Sequence, residues 1–112
     1  MRDRLALVVG PTHPWASRRS VKAPDLLTAE WILRERGSGT RSEFEAALAR
    51  GGVPADRLNV VLELPSNEAV RMAVEAGAGA TVEQGLRARA AGIEPGYGTW
   101  RSPAMMSAAI AA

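Results

Sequence analysis

The chain has 112 residues, 46% hydrophobic and 23% charged, which is the composition of one small globular domain and excludes disorder throughout. It has no cysteine and a single histidine, His13, so disulfide frameworks, thiolate chemistry and histidine-cluster zinc sites are excluded. The 14 basic and 12 acidic residues leave a net charge of +2, supplied by Arg87, Arg89 and Arg101 against Glu94; with no basic patch interleaved with aromatics, direct nucleic-acid binding is not expected.

Arg4 to Gly10, "RLALVVG", reads as a buried strand from its length and β-branched content. The run is too short for a signal-peptide core or a membrane span, so a cytoplasmic protein is expected. Pro11-Thr12-His13-Pro14 ends it, because prolines cannot continue a ladder. Trp15 to Lys22 reads as a loop, Pro24 to Leu27 as one helical turn, and Trp31 to Leu33 as a second strand. Thr40 to Arg50 is the clearest helix, with Phe44, Ala47 and Leu48 on one stripe. Thr40 and Glu43 fit a capping box, and Gly51-Gly52 supplies the stop.

Leu58 to Leu64 reads as a third strand, with Leu58, Val60, Leu62 and Leu64 on one face. Ser66 is placed to cap a second helix running to Ala76, with Val70, Ala73 and Val74 inward and Gly77 as terminator. Gly79 to Val82 is a short fourth strand. The Gly77-Ala78-Gly79 run is not a dinucleotide fingerprint, since no helix follows it. The order of elements predicts an α/β domain with a mainly parallel sheet. After Gln84 the texture changes to Gly, Ala and Arg without a period; only Ala104 to Ala111 suggests a last helix, apolar all round.

Two helix mouths are the candidate sites. Ser38-Gly39-Thr40 offers a first turn whose N–H groups are unpaired and partly positive, with glycine allowing close approach and two hydroxyls adding donors. The same residues also satisfy a plain helix cap. Ser66-Asn67 is the second mouth, and in a parallel sheet both open at the carboxyl edge of the strands, where such folds bind ligands. His13 and the scattered carboxylates form no acid–base or nucleophilic constellation, so no enzyme, metal or cofactor is expected. A small enzyme using the helix mouths as an oxyanion site is the reading this lack counts against.

At this point "LALVVGPTHPWASRRSVKAPDLL", "WILRERGSGTRSEFEAAL" and "LNVVLELPSNEAVRMAVEAGAGATV" resemble, in order and in register, the effector-binding domain of LysR-type transcriptional regulators. The resemblance runs from Leu5 to Val82. It implies a periplasmic-binding-protein-like type II fold, three-layered around a short, mainly parallel sheet, in which two subdomains enclose a small effector. This chain corresponds to the second subdomain, and Leu5 to Gly10 and Gly79 to Val82 are its hinge strands. The family's Ser-Gly-Thr loop holds the effector, often an anion; that role carries over to Ser38, Gly39 and Thr40, and with them Asn67 at the neighbouring mouth.

The chain has no counterpart of the family's winged helix-turn-helix or of its first subdomain. It is therefore expected to read as a partial effector-binding domain over 1–84 and an atypical tail over 85–112. A coding frame shifted at Gly85 is one account of that tail, and resequencing the DNA tests it. A stand-alone small-anion module and a non-functional truncated regulator are the alternatives. A homodimer or an aggregate is expected too, since exposed hinge strands leave unpaired edges and the resemblance implies dimerisation through this domain.

Overall fold

The structure is a computed structural model and describes residues 5–16, 20–84, 94–95, 99–101 and 106–110. Strand β1 (Leu5–Val9) is followed by turns over 11–16, a two-residue strand β2 (Ser20–Val21) and a 3-10 helix, Ala23–Thr28. Then come β3 (Glu30–Arg34), α1 (Gly39–Arg50), a second 3-10 turn, Ala55–Arg57, β4 (Asn59–Leu64), α2 (Asn67–Glu75) and β5 (Thr81–Gln84). Three strands complete the chain: β6 (Glu94–Pro95), β7 (Thr99–Arg101) and β8 (Met106–Ile110).

Strands β3 and β4 pair in parallel, and an isolated parallel bridge from Trp31 to Ala80 joins them to the start of β5. The two strands expected as hinges, β1 and β5, are direct antiparallel neighbours, with Leu5 opposite Gln84 and Val8 opposite Thr81. On its other edge β1 pairs antiparallel with β8, and the sheet continues through β7 to β6, with β2 parallel to β8.

The alternation of side chains along β1 and β3 divides the core into two layers. Leu7, Val9, Trp31 and Leu33 face one way and pack with Phe44 and Leu48 of α1. Val8 and Ile32 face the other way and pack with Val70 and Val74 of α2. Helices thus cover both faces of the sheet, the three-layer arrangement expected. Within the first layer the rings of Trp15, Trp31 and Phe44 stack in series, with centroids 5.9 and 5.0 Å apart. Trp31 is fully buried because its indole N–H finds the Leu26 carbonyl at 2.8 Å.

The sheet is mixed and not mainly parallel: β1–β5, β1–β8, β7–β8 and β6–β7 pair antiparallel, and among the described strands only β3–β4 and β2–β8 pair in parallel. Three further expectations are corrected. The single apolar face proposed for Leu58, Val60, Leu62 and Leu64 does not form. A bulge shifts the register, so that Trp31 opposes Val60 while Ile32 opposes Leu62. Beyond it each residue sits on the opposite face: Val60 packs with the α1 layer, Leu64 with the α2 layer, and Leu62 is 42% exposed. The helix expected over Ala104 to Ala111 is a strand across Met106–Ile110. A run with no polar face has no amphipathic reason to be helical, and the open edge of β1 supplies ladder partners instead. The third concerns the α1 cap, described below.

Candidate functional site

Because β3 and β4 are parallel, each delivers its following helix at the same edge. The Glu35 N–H donates to the Leu64 carbonyl at 3.2 Å, which holds the two strand ends together as they leave the sheet. From β3 the chain turns through Gly37, whose φ of 95° lies in the left-handed region that glycine tolerates. Ser38 follows in extended conformation and caps α1: its Oγ accepts from the Arg41 N–H at 3.4 Å, and its carbonyl accepts from Ser42 N–H at 3.0 Å. The cap is therefore Ser38 and not Thr40. The helix begins at Gly39, since the left-handed turn at Gly37 already aims the next residue's hydroxyl at the helix axis, and Thr40 lies inside the first turn. The N–H groups of Gly39 and Thr40 consequently have no acceptor within the helix.

The second mouth follows the expected plan. Ser66 Oγ accepts from the Ala69 N–H at 3.1 Å, and Asn67 is the first residue of α2. The Asn67 side chain is held across the edge: Arg34 Nη1 donates to its Oδ1 at 2.8 Å. The same guanidinium gives Nε and Nη2 to Glu35 Oε1 at 3.2 and 2.7 Å. Arg34, the last residue of β3, thus links the loop that precedes α1 to the mouth of α2. The four candidate residues lie in two adjacent helix mouths on one edge of the sheet.

Arg41 completes the frame from below. Its side chain is buried, yet it reaches both strand ends: Nη1 donates to the Arg34 carbonyl at 3.0 Å and to Glu63 Oε2 at 2.6 Å, while Nε lies 3.5 Å from Glu45 Oε2. The Arg41 hydrogen bond and then its charge, with a lesser contribution from Arg36, hold the Glu63 carboxyl below the usual glutamate range. Each guanidinium bonded at this edge faces a carboxylate. Arg36, exposed in the loop before α1, adds its charge to the partial positive charge of the two helix N-termini, so the edge is suited to holding an anion or polar group through backbone N–H donors. Arg34 and Arg41 were not singled out by the sequence: an arginine seven residues from its acceptor, or 33 from its amide partner, leaves no local pattern.

His13 lies elsewhere. Its Nδ1 accepts from the Trp15 N–H at 3.1 Å and its ring sits 5.0 Å from that of Trp15, a structural use of the residue. Burial lowers its pKa below the usual imidazole value. Beside it is a cleft of about 330 Å³ lined by His13, Trp15, Glu30 and the backbone of Gly77 to Gly79, among others; Ser38, Gly39, Thr40 and Asn67 do not line it.

The family model of the LysR substrate binding domain matches residues 1–94. An uncharacterised HTH-type transcriptional regulator of Methanocaldococcus jannaschii is 43% identical over 90 residues, which are 80% of this chain and 30% of that protein. Among solved structures, the regulatory domain of Synechocystis CcmR in complex with 2-PG superposes with a TM-score of 0.74 at 27% identity, covering 96% of this chain and 47% of that one. The effector binding domain of QuiR in complex with shikimate gives a TM-score of 0.73 over 97% of this chain and 46% of that one; at 16% identity this likeness concerns the fold alone. The chain thus spans 30% of the length of that curated relative and just under half of these structures.

Proposed function

The chain belongs to the LysR substrate-binding domain family, and from that premise we propose that it supplies one wall of an effector site in a transcriptional regulator, for a small anionic or polar molecule. The backbone N–H groups of Gly39 and Thr40, the hydroxyls of Ser38 and Thr40, and the side-chain amide of Asn67 are the groups that meet the effector. The observation that carries this reading is the pairing of the two helix mouths on one edge, tied by the bond from Arg34 to Asn67. The complex of the CcmR regulatory domain with 2-PG agrees with a small polar effector.

In this reading the chain is a sensor and not an enzyme. It associates with a second copy, makes no operator contact of its own and works in the cytoplasm. Among the described residues no helix is long and apolar enough to cross a membrane. Residues 1–84 are the effector-domain part of the proposal and 85–112 an addition to it. Strand β8 of that segment pairs with β1.

An amide-resolved NMR titration of the chain with sulfate, phosphate and a panel of small carboxylates tests the site at the weak affinity one wall provides. Saturable shifts at Gly39, Thr40 and Asn67 are expected for at least one anion. Shifts spread over the surface without saturation would remove the proposal.

A further inference from the structure

We propose that the cleft at the start of β3 is a second binding site, specific for a small organic cation carrying an ammonium group beside an apolar or aromatic body. The two sites occupy opposite poles. Gly39, Thr40 and Asn67 follow the carboxyl ends of β3 and β4, whereas the cleft is built from Glu30 at the start of β3 and from residues 77–79, which lead into β5. Since β3 and β5 run in parallel at the Trp31–Ala80 bridge, both starts lie at the pole away from the helix mouths.

The chemistry of the lining selects charge. Glu30, the one carboxylate among the described lining residues, has an exposed side chain and forms no ion pair with any described residue. Its backbone is fixed: the Glu30 carbonyl accepts from Ala80 N–H at 2.9 Å, and a Cβ at Gly79 would lie 2.4 Å from that carbonyl oxygen. Residues 77–79 follow directly on the carboxyl end of the nine-residue helix α2, the negative end of its dipole.

Among the described residues no lysine or arginine lines the cleft. His13 is the one cationic candidate among them, and burial disfavours its charged form. With Nδ1 accepting from Trp15, the neutral ring carries its proton on Nε2. His13 and the largely buried Trp15 supply the aromatic part of the lining, against which the apolar body of the ligand packs. A volume of about 330 Å³ is at the small end of ligand pockets, enough for one ring and a short amine.

The test uses one ring with three charges: benzylammonium, benzyl alcohol and benzoate, titrated into the full chain while amide shifts and tryptophan fluorescence are followed. Benzylammonium is expected to bind saturably, to move the amides of His13, Trp15, Gly77 and Gly79, and to quench or shift Trp15 emission. Glu30→Gln, on an exposed side chain, is expected to retain the wild-type melting temperature and to weaken binding about tenfold. Binding of benzoate or benzyl alcohol as tight as that of benzylammonium overturns the proposal. So does a Glu30→Gln chain that binds as the wild type does, or a set of shifted amides centred on Gly39 and Thr40. Absence of saturable benzylammonium binding also overturns it.

Discussion

Arg71 and Glu83 form a two-point ion pair between α2 and β5: Arg71 Nε donates to Glu83 Oε1 at 3.0 Å and Nη2 lies 2.7 Å from the same oxygen, with Glu83 almost fully buried. The pair joins the helix whose first residue is Asn67 to one of the two paired strands expected as hinges. Replacing Arg71 by leucine leaves the Glu83 carboxylate buried without its counter-charge. The expected loss in urea denaturation is about 3 kcal/mol, at the low end for a broken buried pair because the Arg71 side chain keeps some contact with water. The double variant Arg71→Leu/Glu83→Leu should recover most of that loss, since the cost lies in the orphaned charge. A double variant as unstable as the single one would contradict this account.

The Arg41–Glu63 pair predicts a pH dependence. The Glu63 carboxyl is held below its usual range, so the native state binds this proton less readily than the unfolded chain does. The stabilisation is therefore fully present above the unfolded glutamate value and is lost as pH falls through the depressed native one. Melting temperatures of the wild type and Glu63→Gln, taken from neutral pH down to about pH 3, should differ at the neutral end and converge in acid. A gap that stays constant into acid would mean that Glu63 acts by packing and not by charge.

Ser38 and Thr40 should separate under mutation. Ser38→Ala removes the cap of α1 and should cost about 1 kcal/mol in thermal or urea unfolding. Thr40→Val removes a hydroxyl from inside the first turn, where it caps nothing, and should cost under about 0.5 kcal/mol. Anion titrations should weaken in both. Equal stability losses in the two variants would return the cap to Thr40.

Two glycines give opposite outcomes. Gly79→Ala drives a Cβ to 2.4 Å from the Glu30 carbonyl oxygen, backbone that cannot move without disturbing the bridge to Ala80, and should destabilise by about 2 kcal/mol or more. Gly39→Ala meets nothing within 4 Å and lies at a helical position, so it should be neutral or stabilising by about 0.5 kcal/mol in a thermal melt. The added methyl nevertheless stands beside the N–H groups proposed to meet the effector, and anion binding should fall while stability does not.

Much of the frame was legible because its signals are local. The stripe of Phe44 and Leu48, the cap at Ser66 and the stop at Gly77 each depend on neighbours within a turn or two, and each sits where the pattern put it. Both helix mouths were visible for the same reason. What escaped depends on distant partners. Arg41 looks like an exposed helix charge until β3 and β4 bring their ends above it, and the Val60–Leu62 alternation holds until β3 imposes a bulge. Likewise the strand at Met106–Ile110 exists by virtue of β1, far earlier in the chain. The capping-box pattern points to Thr40 in place of Ser38 because it does not register that Gly37 sets the turn first.

The register that places Leu5 opposite Gln84 has an engineering consequence. Antiparallel partners lie about 5 Å apart, so the segment between them enters and leaves through a single narrow doorway. Geometrically it is a cassette: spliced into an opened surface hairpin of an unrelated host, it would need a host strand in the place of β8 beside β1 and β2, with the host's backbone displaced by no more than a strand spacing. Motion of the host at that splice would reach β1 and β5 together as one shared twist.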